Sequence, residues 1–247
     1  MQSIIYKNRV TPYNGKMEGI MKKTLADTAY ELLLEKIYNY ELPDEDKIVE
    51  QQLIEMLGIG RTPVREAIRR LASDGILDLT PGTFAKVHNF TDKEKQDVGL
   101  IRLAIDTVAA PLVVLNGSNR DFQDLMAITT KCQEAYDNND IMGRIKLDYQ
   151  FHNTLVAISG NNELSKIQDQ LTTRGILMQI QSYRTKGDSF CHLTGHLDII
   201  RCLNERDTSG CIAAMQKHLA HSYASTPENA QAWKSAELAL NMLPANA

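Results

Sequence analysis

The stretch GIGRTPVREAIRRLASDGIL, residues 58–77, decides how the N-terminal part of this chain folds. Residues 61–70 hold four arginines against one acid, Glu66, which gives this short stretch a local charge of +3. The wider segment 22–90 holds 9 Lys and Arg against 12 Asp and Glu. Positive charge is therefore concentrated on one stretch within acidic surroundings.

The same stretch has the pattern of an amphipathic helix. Its apolar side chains recur with helical spacing at Val64, Ala67, Ile68 and Leu71. Arg65 and Arg69 lie off that face. We expect Thr62 to cap the helix and Pro63 to occupy its first position, where the amide has no helical partner. Taken alone, a basic helix face is more often only a solvated surface.

The segments on either side of this helix indicate what kind of domain it belongs to. Residues 25–39 and 49–57 have helical apolar stripes, and Gly58 is a typical C-cap for the second. In residues 76–90 apolar and polar side chains alternate, and Pro81-Gly82 marks a turn between the two halves. This pattern predicts a β-hairpin. Three helices and a hairpin are the plan of a winged helix-turn-helix, whose third helix enters the major groove of DNA. There, arginine can bind guanine in a bidentate manner.

The pattern becomes entirely helical after the hairpin. Thr91 and Glu94 form a capping box that opens a long helix. Because the connections between the later stripes are short, we expect an antiparallel bundle of six or seven helices. The stripes span 121–138, 140–158, 162–183, 189–204 and 207–223, and a weaker one spans 228–243.

The predicted fold class is therefore mostly α, with an N-terminal winged helix-turn-helix and a C-terminal helical bundle. The predicted units are a flexible basic tail (1–23), a DNA-binding domain (24–90), a helical effector domain (91–224) and a C-terminal extension (225–247). The extension could be a further helix, a dimer brace or a tail.

Composition excludes several classes of protein. The net charge of −4 excludes DNA binding by bulk positive charge. We expect no membrane span, since no run approaches about 20 uncharged apolar residues, and we expect no secretory signal. The cysteines are scattered, as is typical of reduced thiols in a cytoplasmic protein. They are Cys132, Cys191, Cys202 and Cys211.

Several residues of the second half could bind a metal ion. Asp148 and His152 are four residues apart and share one face of a helix, while His196 and His218 lie beside apolar positions of later helices. One carboxylate and three imidazoles could hold Zn²⁺, Ni²⁺, Mn²⁺ or Fe²⁺ with positions left for a ligand. An Asp–His pair at this spacing is more often a modest surface interaction. Composition alone would allow other histidines, namely His192 and His221.

The sequence LGIGRTPVREAIRRLASDGIL resembles the signature of the GntR superfamily of bacterial regulators, and the resemblance extends through Phe90. The chain departs from the family pattern at Gln51, where an arginine is frequent, and at Thr83-Phe84, where many members carry Arg-Gly. The resemblance, the basic helix and the wing together imply candidate DNA contacts. These are Arg61, Thr62, Arg65, Arg69, Gly82 and Lys86.

Residues 91–223 resemble the FCD ligand-binding domain of the FadR-type branch of that superfamily. The resemblance rests on D-x-x-x-H, on a histidine before an apolar turn, and on a histidine in M-x-x-H-L. It implies a divalent transition metal, which could be Zn, Ni, Mn or Fe. The implied ligands are Asp148, His152, His196 and His218.

The segment LIRLAID, residues 100–106, matches the first helix of that domain and implies that Arg102 points into its cavity. A guanidinium beside a metal suits a carboxylate, so the implied effector is a small organic acid. By spacing alone, Arg102 could equally pair with Asp106. Weaker candidates for a second carboxylate clamp are Arg144, Arg174 and Arg184. Tyr149 and Asn153 flank the pair of Asp148 and His152 and could be packing residues only.

The predicted function is a ligand-responsive DNA-binding transcriptional regulator, a repressor that binds a palindromic operator as a homodimer. Its predicted partners are double-stranded DNA, a small organic acid and a second copy of the chain, with no membrane. One alternative is a metal-dependent enzyme fused to a DNA-binding module. The sequence argues against it, because it lacks H-E-x-x-H, G-x-S-x-G, P-loop and G-x-G-x-x-G motifs. Another alternative is a regulator for which the metal itself is the signal.

Overall fold

The computed structural model describes residues 23–42, 47–80, 84–186, 193–223 and 227–241. The tail within residues 1–22 and the wing residue Gly82 lie outside these ranges. The N-terminal elements are α1 (Leu25–Tyr38), α2 (Glu50–Leu57), α3 (Arg61–Ser73), β1 (Leu77–Thr80) and β2 (Phe84–Val87). The later helices are α4 (Asp92–Asn116), α5 (Asn119–Asp137), α6 (Ile141–Ile158), α7 (Asn162–Lys186), α8 (Leu193–Asn204), α9 (Thr208–Tyr223) and α10 (Pro227–Asn241).

The boundaries of α2 and α3 follow from local backbone chemistry. Gly58 ends α2 with φ 63°, a left-handed conformation that glycine adopts without steric cost. The expectation that Thr62 caps α3 is wrong, because α3 begins at Arg61 and extended Gly60 is its N-cap. Thr62 therefore lies inside the first turn. Pro63 at the third helical position is tolerated, since amides of the first turn have no intrahelical partner.

The N-terminal helices and the hairpin form a winged helix-turn-helix, as the sequence predicts. Strands β1 and β2 are antiparallel, with Leu77 opposite Val87. A backbone bridge from Ile48 to Ala85 ties the segment before α2 to the wing. The core beneath consists of fully buried aliphatic side chains, which include Leu33, Leu53, Val64, Ala67, Leu71 and Ile76.

The remaining helices form a bundle around α4. Helix α4 packs against α6, α7 and α9, while α5 packs against α6 and α8, and α10 covers α4 and α9. The predicted capping box is present at the start of α4, where Thr91 and Glu94 satisfy each other's backbone amides. This arrangement confirms the helical fold class of the second half.

Helix α4 has an unexpected composition. Among the described helices it alone is long and apolar enough to cross a membrane, with a mean hydropathy of 2.0 over 18 residues. This apolar stretch is interrupted by Arg102 and Asp106, so it is not a run of uncharged residues. Of that window, 56% is buried by the bundle, and α4 also buries Arg102 and Asp106. Its apolar composition is that of a helix buried in the core of the bundle.

Helix α7 touches both halves of the molecule. The Tyr38 hydroxyl of α1 donates to the Thr173 carbonyl at 2.9 Å. The Gln181 side chain accepts from the Phe90 amide at 3.2 Å and donates to the His88 carbonyl at 2.7 Å. The winged helix is thus held against the bundle by directional hydrogen bonds to one helix.

Candidate functional site

The structure brings together the four residues suggested as metal ligands. Asp148 and His152 lie one turn apart on α6, His196 comes from α8 and His218 from α9. One potential ligand atom from each lies within 4.8 Å of all the others, and all four side chains are buried. Three helices thus converge on one group of oxygen and nitrogen atoms.

The spacing within this group, which we call the quartet, fits a small metal ion. His152 Nε2 lies 3.1 Å from His218 Nε2, and Asp148 Oδ1 lies 3.2 Å from His196 Nε2 and 3.8 Å from His218 Nε2. At tetrahedral angles, ligand atoms about 2.1 Å from a metal lie roughly 3.4 Å from one another. In addition, no described residue satisfies the buried Nδ1 of His196 or of His218. The quartet therefore fits a divalent transition metal.

The electrostatics of the quartet favour the forms that bind metal. Burial lowers the pKa of His196 and lowers that of His218 well below its ordinary value. Burial raises the pKa of Asp148, but the hydrogen bond of His196 and the charges of the neighbouring histidines lower it further than burial raises it. Neutral imidazoles and an ionised carboxylate are the ligating forms.

A further carboxylate, which sequence reasoning assigned differently, supports His152. Asp106 Oδ2 of α4 lies 2.6 Å from His152 Nδ1, and both side chains are buried. Such a contact fixes which ring nitrogen carries the proton and aims the other toward the metal. On the other side of the quartet, the Phe151 ring stacks on His196 with centroids 3.9 Å apart. The i, i+4 spacing of Arg102 and Asp106 gave no sign of this role.

Arg102 lies fully buried on α4, one turn before Asp106. Its Nη1 donates to the Tyr223 hydroxyl at 2.6 Å, while no described residue accepts from its Nε or Nη2. Its guanidinium lies over the Tyr149 ring, 4.3 Å from the centroid. The alternative pairing with Asp106 is therefore replaced by two separate contacts, Arg102 to Tyr223 and Asp106 to His152.

The Tyr149 side chain connects this pocket to α7. Its hydroxyl lies 2.9 Å from the Tyr223 hydroxyl. Its ring lies against Gly175, where any side chain would overlap it. A tyrosine next to the candidate metal ligand Asp148 is thus packed directly on the backbone of α7.

The other candidate residues lie elsewhere. Each of the three arginines proposed as a second clamp instead lies over an aromatic ring. These pairs are Arg144 with Tyr136, Arg174 with Phe90 and Arg184 with Tyr40. Asn153 accepts from the Thr172 hydroxyl at 3.0 Å. His192 and the side chain of His221 lie outside the described residues.

The basic face of α3 is open to solvent. Arg61, Thr62, Arg65 and Arg69 are exposed, and Lys86 on the wing is half-buried. Sequence reasoning missed an acidic contact on this face. Glu50 of α2 lies 3.3 Å from Arg61 Nε and 2.9 Å from Arg65 Nε. One carboxylate thus aligns the two arginines that come first on the helix.

A winged helix with an exposed basic third helix, joined to a helical bundle with a buried cluster of potential metal ligands, defines a DNA-binding transcriptional regulator. The family profile described as "Bacterial regulatory proteins, gntR family" matches residues 25–87. The profile of the FCD domain matches residues 97–221. The chain belongs to the GntR family of bacterial regulators and carries an FCD domain, which confirms the predicted resemblance.

Known relatives agree with this assignment. The chain is 25% identical over 193 residues to the HTH-type transcriptional regulator YdhC of Bacillus subtilis (strain 168), covering 78% of this chain and 85% of the relative. It is 25% identical over 185 residues to the HTH-type transcriptional regulator McbR of Escherichia coli (strain K12), covering 72% and 83%. The solved structure of E. coli McbR/YncC has a TM-score of 0.70 at 20% identity, covering 85% of this chain and 99% of that one. The matched families and relatives are transcriptional regulators rather than enzymes, so that prediction is confirmed.

Proposed function

We propose that this regulator is a repressor that senses a small carboxylate at a metal held by the quartet. The observation that carries the proposal is the buried guanidinium of Arg102, whose Nε and Nη2 have no acceptor among the described residues. Buried donors are almost always paired in a working protein. A ligand carboxylate would pair both, since two parallel N–H groups match its two oxygens.

The quartet would hold Zn²⁺, Ni²⁺, Mn²⁺ or Fe²⁺, which when bound supplies open coordination positions for carboxylate oxygens. Asp106 holds the His152 ring in place. Arg102 lies one turn from Asp106 and therefore offers its positive charge at the same pocket. A small organic acid, such as a hydroxy acid, a sugar acid or a dicarboxylate, suits this combination.

The DNA-binding part of the proposal uses residues 24–90 as the reading unit and residues 91–224 as the sensing unit. Arg61, Thr62, Arg65 and Arg69 would enter the major groove, while Lys86 and Gly82 of the wing would approach the backbone or the minor groove. Glu50 already aligns the first of these arginines with Arg65.

We further propose that the regulator binds a palindromic operator as a homodimer in the cytoplasm. Two-fold symmetry of the protein matches two half-sites of the DNA. Ile101, Val108 and Leu115 lie seven residues apart on α4, and their exposed fractions are 45%, 40% and 78%. A second copy of the chain would cover this apolar stripe, because single-sided apolar stripes are typical of helix partners.

The first experiment is the metal content of protein purified without chelator and without a nickel affinity step. Wild type is expected to carry close to one equivalent of a transition metal per chain, and a His196→Ala/His218→Ala variant is expected to lose it. His88→Gln on the wing serves as the control, since its ring pairs with Asp78 and Glu94 instead. Full metal content in the double variant would overturn the ligand assignment.

A second measurement separates the sensing alternatives. Operator affinity of metal-loaded wild type is followed by fluorescence anisotropy while formate, L-lactate, L-malate or D-gluconate is added. A fall in affinity with one of these acids supports carboxylate sensing by a repressor. Operator affinity that follows metal level alone, with no response to any acid, would make the metal itself the signal.

A further inference from the structure

Tyr223 and helix α10 lie beyond residues 97–221, to which the family profile applies. Nevertheless, the Tyr223 hydroxyl accepts from Arg102 Nη1 at 2.6 Å. Our proposed function assigns the Arg102 guanidinium to effector binding. The hydrogen bond that the structure shows for this guanidinium is thus made by a residue outside the matched domain. The last part of the chain therefore belongs to the chemistry of this pocket.

The Tyr223 ring packs against α4 and α10. Any side chain at Gly99 of α4 would overlap the ring, so that glycine lets the two helices meet there. Trp233 of α10 stacks in parallel with it, at 7° and 6.4 Å between centroids. These aromatic rings join Leu103 and Leu219 in one buried cluster. Because this packing defines the position of the ring, its hydroxyl is placed to accept from Arg102.

A fixed acceptor on Nη1 determines how the guanidinium is turned. The guanidinium is planar, and Nε and Nη2 lie together on the edge away from Nη1. That edge has no acceptor among the described residues, while Nη1 is held by Tyr223. The Tyr149 hydroxyl, 2.9 Å from that of Tyr223, completes the support. The edge left over is the one that binds a carboxylate side-on through two hydrogen bonds.

We propose, resting on the carboxylate-sensing function above, that Tyr223 is a positioning residue of the effector site and that α10 is part of that site. Tyr223 orients Arg102 so that its Nε–Nη2 edge receives the ligand carboxylate, and Trp233 holds Tyr223 in this position. Trp233 is the single tryptophan of the chain, so its fluorescence reports whether the Tyr223 ring beside it keeps its position.

The test uses full-length, metal-loaded protein and four probe acids, namely formate, L-lactate, L-malate and D-gluconate. Affinity is measured by calorimetry, and Trp233 fluorescence is recorded in the same titrations. Tyr223→Phe removes only the hydroxyl and keeps the ring between Gly99 and Trp233. Tyr136→Phe is the matched control, since Tyr136 is 53% exposed on α5. Metal content and thermal midpoint are measured for each variant.

We expect Tyr223→Phe to weaken binding of the best probe by about tenfold, the effect of losing a hydrogen bond to a charged group. Its metal content, thermal midpoint and Trp233 fluorescence should match wild type, since the ring keeps its packing against Gly99 and Trp233. If Tyr223→Phe binds the probe as tightly as wild type while Arg102→Lys does not, Tyr223 is only a packing residue and the inference is overturned. If metal-loaded wild type binds none of the four acids, carboxylate sensing itself fails and this inference fails with it.

Discussion

The contact between Asp106 and His152 leads to a prediction about metal affinity. The two side chains are buried and their polar atoms lie 2.6 Å apart. Removing a residue that orients a metal-bound histidine changes metal affinity by about 10–100-fold. In Asp106→Asn the amide oxygen can still accept from the imidazole N–H, but the negative charge is lost. We therefore expect the lower end, about a tenfold loss or about 1.4 kcal/mol of metal-binding free energy.

The assay is metal competition against a chromophoric chelator, with wild type and the exposed variant Asp124→Asn as references. The fold should be retained, so the thermal midpoint of the metal-free variant should lie within about 4 °C of wild type. An unchanged metal affinity in Asp106→Asn would show that His152 needs no orienting carboxylate, and the argument from its 2.6 Å contact would fail.

Three further predictions concern the basic face of α3 and the start of α4. Arg65→Ala should weaken operator binding by about 1–3 kcal/mol in anisotropy titrations and leave metal content unchanged, since the arginine lies on the exposed face of α3. Glu50→Gln should raise non-specific DNA affinity several-fold at low salt, because it removes the carboxylate that pairs with Arg61 and Arg65; an unchanged affinity across salt concentrations would contradict this. Hydrogen bonds from the backbone and hydroxyl of Thr91 lower the pKa of Glu94 from 4.5 to about 2. Its stabilising effect is therefore complete above pH 4.5 and is lost as the pH falls toward 2, so acid unfolding curves of wild type and Glu94→Gln should converge there.

Local chemistry made most of the fold predictable. The capping box of Thr91 and Glu94 and the C-cap Gly58 act within a few residues, and the structure contains both. The cap proposed at Thr62 failed for a local reason as well. Extended Gly60 starts the helix two residues earlier than the Thr-Pro pattern indicates. Glycine can cap a helix without any side chain, so the sequence carries little sign of it.

The site was less predictable, because its contacts join distant parts of the chain. The i, i+4 spacing puts Asp148 and His152 on one face, but only the family resemblance singled out His196 and His218. The bond between Arg102 and Tyr223 spans 121 residues, and that between Asp106 and His152 spans 46. Both depend on how α4, α6 and α9 pack, and helical periodicity does not determine which helices become neighbours.

Helix α7 connects the residues around Arg102 to the DNA-reading unit through two contacts. Gly175 touches Tyr149, and the carbonyl of Thr173 two residues earlier accepts from Tyr38 of α1. Side-chain contacts of a helix lie about 5–6 Å from its axis, so turning α7 by about 10° would move each contact by about 1 Å. A small displacement of Tyr149 beside a bound acid would thus rotate α7 about its axis and move its contact with α1. In a two-fold symmetric dimer both copies of α7 would turn in the same sense about their own axes, so a small rotation in each copy would change the spacing between the two recognition helices.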